Sequence, residues 1–165
     1  MNTKLISMVL WSVLAAVAAE PAAATNFRFG PGLVGTWNVT INPVNCESGQ
    51  PAPINFRSFM TFGVGGTVTE ATSSPLFEPG QRGPGHGNWQ YTGRRTYHSV
   101  MSAYVLFDSN PNAPRYVRGV QTIDQSMAMD GEDRWTSDAL VTFLNAAGER
   151  VPPSGCAKAV GVRMQ

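Results

Sequence analysis

The stretch Gly119-Val-Gln-Thr-Ile-Asp-Gln-Ser-Met-Ala-Met129, then Asp130-Gly131, then Arg134-Trp-Thr-Ser-Asp-Ala-Leu-Val-Thr-Phe-Leu-Asn145 decides the fold. Successive side chains of a strand point to opposite faces. Val117, Gly119, Gln121, Ile123, Gln125, Met127 and Met129 therefore share one face of the first segment, and Trp135, Ser137, Ala139, Val141 and Phe143 share one face of the second. The intervening Asp-Gly is a strong signal for a tight hairpin, because glycine supplies the positive φ that such a turn needs. Two half-buried antiparallel strands follow from these residues alone.

The same pattern repeats outward in both directions, and helix-period patterns are nearly absent. Eight strands are expected, at residues 33–42, 56–62, 67–73, 88–92, 95–107, 115–129, 134–145 and 156–164. Phe56, Ser58, Met60 and Phe62 share a face of the second, and Tyr97, Ser99, Met101, Ala103, Val105 and Phe107 share one of the fifth. A Pro/Gly-rich connection at 74–87 is long enough to read as a binding flap. Eight consecutive antiparallel strands predict an all-β domain, a single up-and-down barrel whose closure removes exposed sheet edges. A β-sandwich with the same strand count is the alternative.

The chain has 165 residues and a formal net charge of +1. It opens with Lys4, an apolar run from Leu5 to Ala19, and the small-residue pair Ala22 and Ala24. These are the parts of an export signal cleaved after Ala24. The apolar run is short for a transmembrane span, which takes about 20 residues. Residues 25–165 then form the one mature domain, secreted or periplasmic, with no stable membrane span after cleavage. Near-zero charge without a basic run argues against a nucleic-acid partner. Cys46 and Cys156 are the two cysteines. In an oxidising compartment they read as a disulfide. Without C-x-x-C spacing, and with two histidines in the chain, they do not read as a metal site.

The segment Leu33-Val-Gly35-Thr-Trp37-Asn-Val39 resembles the G-x-W signature that opens lipocalins and other calycin barrels. The stretch from Gly85 to Tyr97, with Trp89, Tyr91, Gly93, Arg94 and Arg95, is similar to bacterial secreted lipocalin-like proteins. The resemblance implies that Trp37 plugs one end of a barrel and that Arg163 packs over it. The chain lacks the helix that lipocalins carry before the last strand. The resemblance therefore extends to related barrels, including the allene-oxide-cyclase-like group, where the same shape hosts cyclisation chemistry.

The inward faces are mostly apolar with small residues interleaved, the composition of a small-molecule pocket. Tyr97, Ser99, Met101, Gln121, Gln125, Trp135 and Phe62 are the candidate ligand-binding residues. Arg95, expected to face inward beside Tyr97, is a candidate for gripping a carboxylate. Tyr97, His98 and Arg95 are the weak catalytic candidates; no triad spacing supports them. His86 in the 74–87 connection is another, and surface or structural roles are favoured for both histidines. The residues call for no cofactor and no metal. Three functions stay open: a barrel holding a small hydrophobic molecule, a cyclase or isomerase using the same cavity, and an interaction protein with a filled core. Oligomeric state is not legible.

Overall fold

The structure, a computed structural model of the chain, describes residues 32–106 and 118–165. The expected signal segment at 1–24, the expected end of the fifth strand at Phe107 and the expected start of the sixth strand at Arg115 lie outside the described residues. Eight strands appear: β1 (Gly35–Val44), β2 (Phe56–Phe62), β3 (Thr67–Thr72), β4 (Gly85–Gly93), β5 (Thr96–Val105), β6 (Gly119–Met129), β7 (Arg134–Asn145) and β8 (Arg150–Arg163). Each pairs antiparallel with the next, and β8 returns to β1, so the sheet closes into a barrel in sequence order. The sandwich alternative falls, because the β1–β8 ladder runs unbroken from Trp37–Arg163 to Val44–Cys156. Among the described residues there is no helix, and none that is long and apolar enough to cross a membrane.

Several element boundaries differ from those expected, and four of the differences have a clear local reason. β4 begins at Gly85 rather than residue 88, because Gly85 and Gly87 pair with Glu70 and Val68 of β3. A Cβ at Gly87 would overlap the backbone of Val100 and Met101, so this glycine serves close strand packing rather than a loop. β1 continues through Pro43. The Pro43 carbonyl accepts from the Ala52 amide, so its nitrogen faces that same side, where the β1–β2 ladder has already ended at Ile41–Phe56. The proline therefore removes no ladder donor. β8 starts at Arg150 and takes in Pro152 and Pro153, which were expected in a loop. They sit in an irregularity where Val141–Gly155 gives way to Phe143–Val151, and β1 pairs with β8 only from Cys156 onward. Prolines are tolerated at such one-sided, bulged positions. The fourth difference is Arg95, which belongs to the β4–β5 turn: Arg94 and Arg95 both have positive φ, the backbone of a type I′ hairpin.

The strand ends define two unlike ends of the barrel. At one, the connections are the tight turns 63–66, 94–95 and 130–133, and the interior is filled with aromatic rings. Trp37 and Trp135 meet edge-on at 6.2 Å, Phe62 reaches Trp89 and Trp135 at 6.1 and 6.4 Å, and Trp89 meets Tyr97 at 5.7 Å. Offset or edge-on ring pairs at these distances are favourable beyond their burial. A Cβ at Gly161 would overlap the Trp135 indole, so that ring lies flat over a residue without a side chain. The Arg163 guanidinium stacks 4.2 Å over Trp37, and its donors hold the Val34 carbonyl (2.8 Å) and the Asp133 carboxylate (2.9 Å). Trp37 Nε1 donates to the Leu33 carbonyl at 2.8 Å. The cation over the ring adds about 1–2 kcal/mol when desolvated. At the other end lie the longer connections 45–55 and 73–84, and the Cys46–Cys156 disulfide fastens the chain just past β1 to β8.

Candidate ligand-binding site

Between the aromatic plug and the loop-bearing end the barrel encloses a cavity of about 260 Å³. Its walls come from the ends of strands whose other halves build the plug. β1 contributes Val39 and Ile41, β2 Phe56 and Met60, β5 Met101, β7 Val141 and Phe143. Ala139 of β7 faces Ala157 of β8, and Gly155 follows one inward step on. These small residues leave room where the plug is filled by tryptophan. Leu76, Phe77 and Ser74, from the connection between β3 and β4, line the far wall.

One polar group of residues interrupts these apolar walls. Glu70 sits on the inward face of β3, and Arg82 comes from the connection that follows. Their side chains are 3% and 4% exposed, with Nη1 of Arg82 2.7 Å from Oε2 of Glu70. Oε2 makes no aligned hydrogen bond, so this contact is charge against charge. Oε1 of Glu70 accepts from the Ser58 hydroxyl at 2.8 Å. The Arg82 Nε group donates to Oε1 of Gln121 at 2.5 Å, and Nη1 also reaches the Gly83 carbonyl. A buried carboxylate without a counter-charge is very costly, so each member of the pair accounts for the other's presence in the interior. Deeper in, Gln125 donates to the Ser137 hydroxyl at 2.7 Å, and Ser99, its register partner across the ladder, is buried with its Oγ unpartnered.

The residues singled out from the sequence divide by depth. Met101, Gln121 and Gln125 line the cavity. Ser99 lies beneath it, and Tyr97, Phe62 and Trp135 belong to the plug rather than the wall. Burial pushes the Tyr97 phenol above its usual range, with Tyr91 adding to that and Arg95 opposing it. Arg95 corrects an expectation: it does not point inward beside Tyr97 but lies in the turn at the plugged end, where its guanidinium donates to the Gly131 carbonyl of the neighbouring turn. It is not among the residues that line the cavity. His98 faces outward, its side chain one-third exposed, with Nε2 2.8 Å from Oδ1 of Asp124. His86 lies exposed on β4 opposite Thr69 rather than in a loop. Neither histidine faces the cavity. A separate outer groove of about 550 Å³ beside His98, Asp138 and Lys158 lies on the opposite side of the sheet from the cavity. Among the described residues no cluster of histidine, cysteine and carboxylate could hold a metal ion.

Sequence reasoning missed the Glu70–Arg82 pair. The signal for Glu70 was present: Val68, Glu70 and Thr72 alternate on one face of β3, and an acid on an apolar inward face requires a cation. Nothing local marked Arg82 as that cation, since it lies outside any strand pattern.

The fold defines a class: a closed, eight-stranded, antiparallel, all-β barrel with one disulfide, consistent with a lipocalin-like fold. Comparison of the chain with protein-family models, with curated proteins and with solved structures gave no match.

Proposed function

We propose that this chain is an exported lipocalin-like barrel that holds one small, mainly hydrophobic molecule in its interior. The observation that carries the reading is the 260 Å³ cavity with apolar walls and a few paired polar groups. An engineered apolar cavity of about 150 Å³ in another protein takes up benzene, so a space of this size is ample for a small organic molecule. Binding is favoured over cyclisation because the polar groups of the cavity are engaged with one another: Glu70 with Arg82 and Ser58, Gln121 with Arg82, Gln125 with Ser137. Export is supported by the signal pattern of residues 1–24 and by the disulfide, which is consistent with an extracytoplasmic location.

Native mass spectrometry of protein purified from its own host, with solvent extraction of the sample, tests both parts. The expected result is a chain of residues 25–165 with the disulfide intact and a co-purifying small molecule. Ala139→Phe, which fills the cavity from its wall, is expected to reduce that occupancy about tenfold or more while the circular dichroism spectrum is kept. Unchanged occupancy in a folded Ala139→Phe variant would place the ligand elsewhere.

A further inference from the structure

We infer that the ligand of this barrel is an uncharged molecule of about ten non-hydrogen atoms carrying one hydrogen-bond acceptor, and that the acceptor docks on Arg82. The inference rests on the binding function proposed above and specifies its chemistry. Size follows from volume: scaling from the benzene-sized cavity of about 150 Å³, a space of about 260 Å³ holds about ten non-hydrogen atoms.

The acceptor follows from the donors of Arg82. A guanidinium carries five N–H groups in a fixed fork. Nε donates to Gln121 and Nη1 to the Gly83 carbonyl, with Nη1 also held against the Glu70 carboxylate by charge. The Nη2 group makes no hydrogen bond to a described residue, although the side chain is almost fully buried and lines the cavity. Gly85 keeps this edge uncrowded, since a Cβ there would lie 3.6 Å from Nη2 and closer still to the Glu70 carboxylate. An uncommitted charged donor on the wall of an apolar cavity gains from a ligand acceptor.

Neutrality follows from the charge already present. Glu70 and Arg82 are the charged side chains that line the cavity among the described residues, and they cancel. A carboxylate ligand would bring a second negative charge beside Glu70 into a site with one cation. Its lost hydration would have no matching counter-charge. A ketone, aldehyde, ester or ether oxygen accepts from Nη2 without that penalty.

Three compounds with the same number of non-hydrogen atoms and the same ring test this on the full mature protein at pH 7. They are cyclohexyl methyl ketone, isopropylcyclohexane and cyclohexanecarboxylate. Headspace partitioning measures the two volatile compounds, and equilibrium dialysis measures the anion. The ketone is expected to bind about tenfold more tightly than the hydrocarbon, the size of effect a hydrogen bond from a charged donor gives. The carboxylate is expected to bind at least about tenfold more weakly than the ketone. In the paired variant Glu70→Leu with Arg82→Met, checked for fold by circular dichroism, the hydrocarbon should still bind and the ketone's advantage should vanish. A hydrocarbon that matches or beats the ketone overturns the docking on Arg82, and so does a ketone advantage that survives in the folded paired variant. A carboxylate that binds most tightly overturns neutrality. Each of those results leaves the binding function standing, whereas failure of all three compounds to bind sinks that function and this inference together.

Discussion

At one end of this barrel Trp37, Trp89, Trp135, Phe62 and Tyr97 fill the interior; at the other, strands of the same set carry Ile41, Met101, Ala139 and Val141 and leave about 260 Å³ open. Both halves obey one alternation, and their inward faces cannot be told apart by period. What separates them is side-chain volume and the length of the connections. Tight turns cap the filled half, and the long connection at 73–84 supplies Arg82 to the hollow half. The filled half supplies stability and the hollow half supplies the space for the proposed site. Position along the barrel axis, rather than which face a residue occupies, assigns it to one task or the other.

Truncations at the two ends give the largest test of that division. Trp135→Ala is expected to cost about 4–5 kcal/mol by denaturant unfolding, since it empties a packed plug. Val141→Ala, on a wall that already lacks neighbours on one side, should cost about 1 kcal/mol or less. Equal costs would erase the distinction between the halves. Next in size, Arg82→Met alone should cost about 3 kcal/mol by stranding a buried carboxylate, whereas Glu70→Leu with Arg82→Met should return to within about 1 kcal/mol of the parent. If the single change is as mild as the double, the pair is not sealed from water. Removal of the disulfide by Cys46→Ser with Cys156→Ser should lower stability by about 2 kcal/mol while leaving the plug's tryptophan fluorescence in place, because the bridge lies at the hollow end. The smallest effect is alkaline. The folded chain holds the Tyr97 proton above its ordinary pKa of 10.0, so the unfolded chain binds fewer protons in that range. Stability should be fully present below pH 10.0 and fall as pH rises through the folded value, and Tyr97→Phe should flatten that fall in melting curves.

Strand periodicity, the Asp130-Gly131 turn and the two cysteines made the eight strands, the closed barrel and the disulfide readable in advance. Tyr97, Ser99 and Met101 lie on one inward face, but the first belongs to the plug, the second lies below the cavity and the third lines it. That ordering depends on how neighbouring strands are staggered, which is a property of pairs and not of one segment. Arg94 and Arg95 occupy a turn that usually recruits Asn and Gly, so their side chains gave no sign of it. Arg82 was hidden for a related reason: its role exists only once Glu70, twelve residues earlier, has been placed on an inward face.

The seam between β1 and β8 joins strands from opposite ends of the domain, while every other pairing joins neighbours in the chain. In kinetic terms the seven neighbouring ladders can zip one after another, and the seam must close a loop spanning nearly the whole domain. Cys46 and Cys156, 110 residues apart, stand at one margin of that seam. Oxidation before folding turns the unfolded chain into a ring in which the two seam strands are already neighbours. The entropy of the slowest search is then lost in advance, and oxidised chains should fold faster than reduced ones by a factor that unfolding rates do not share.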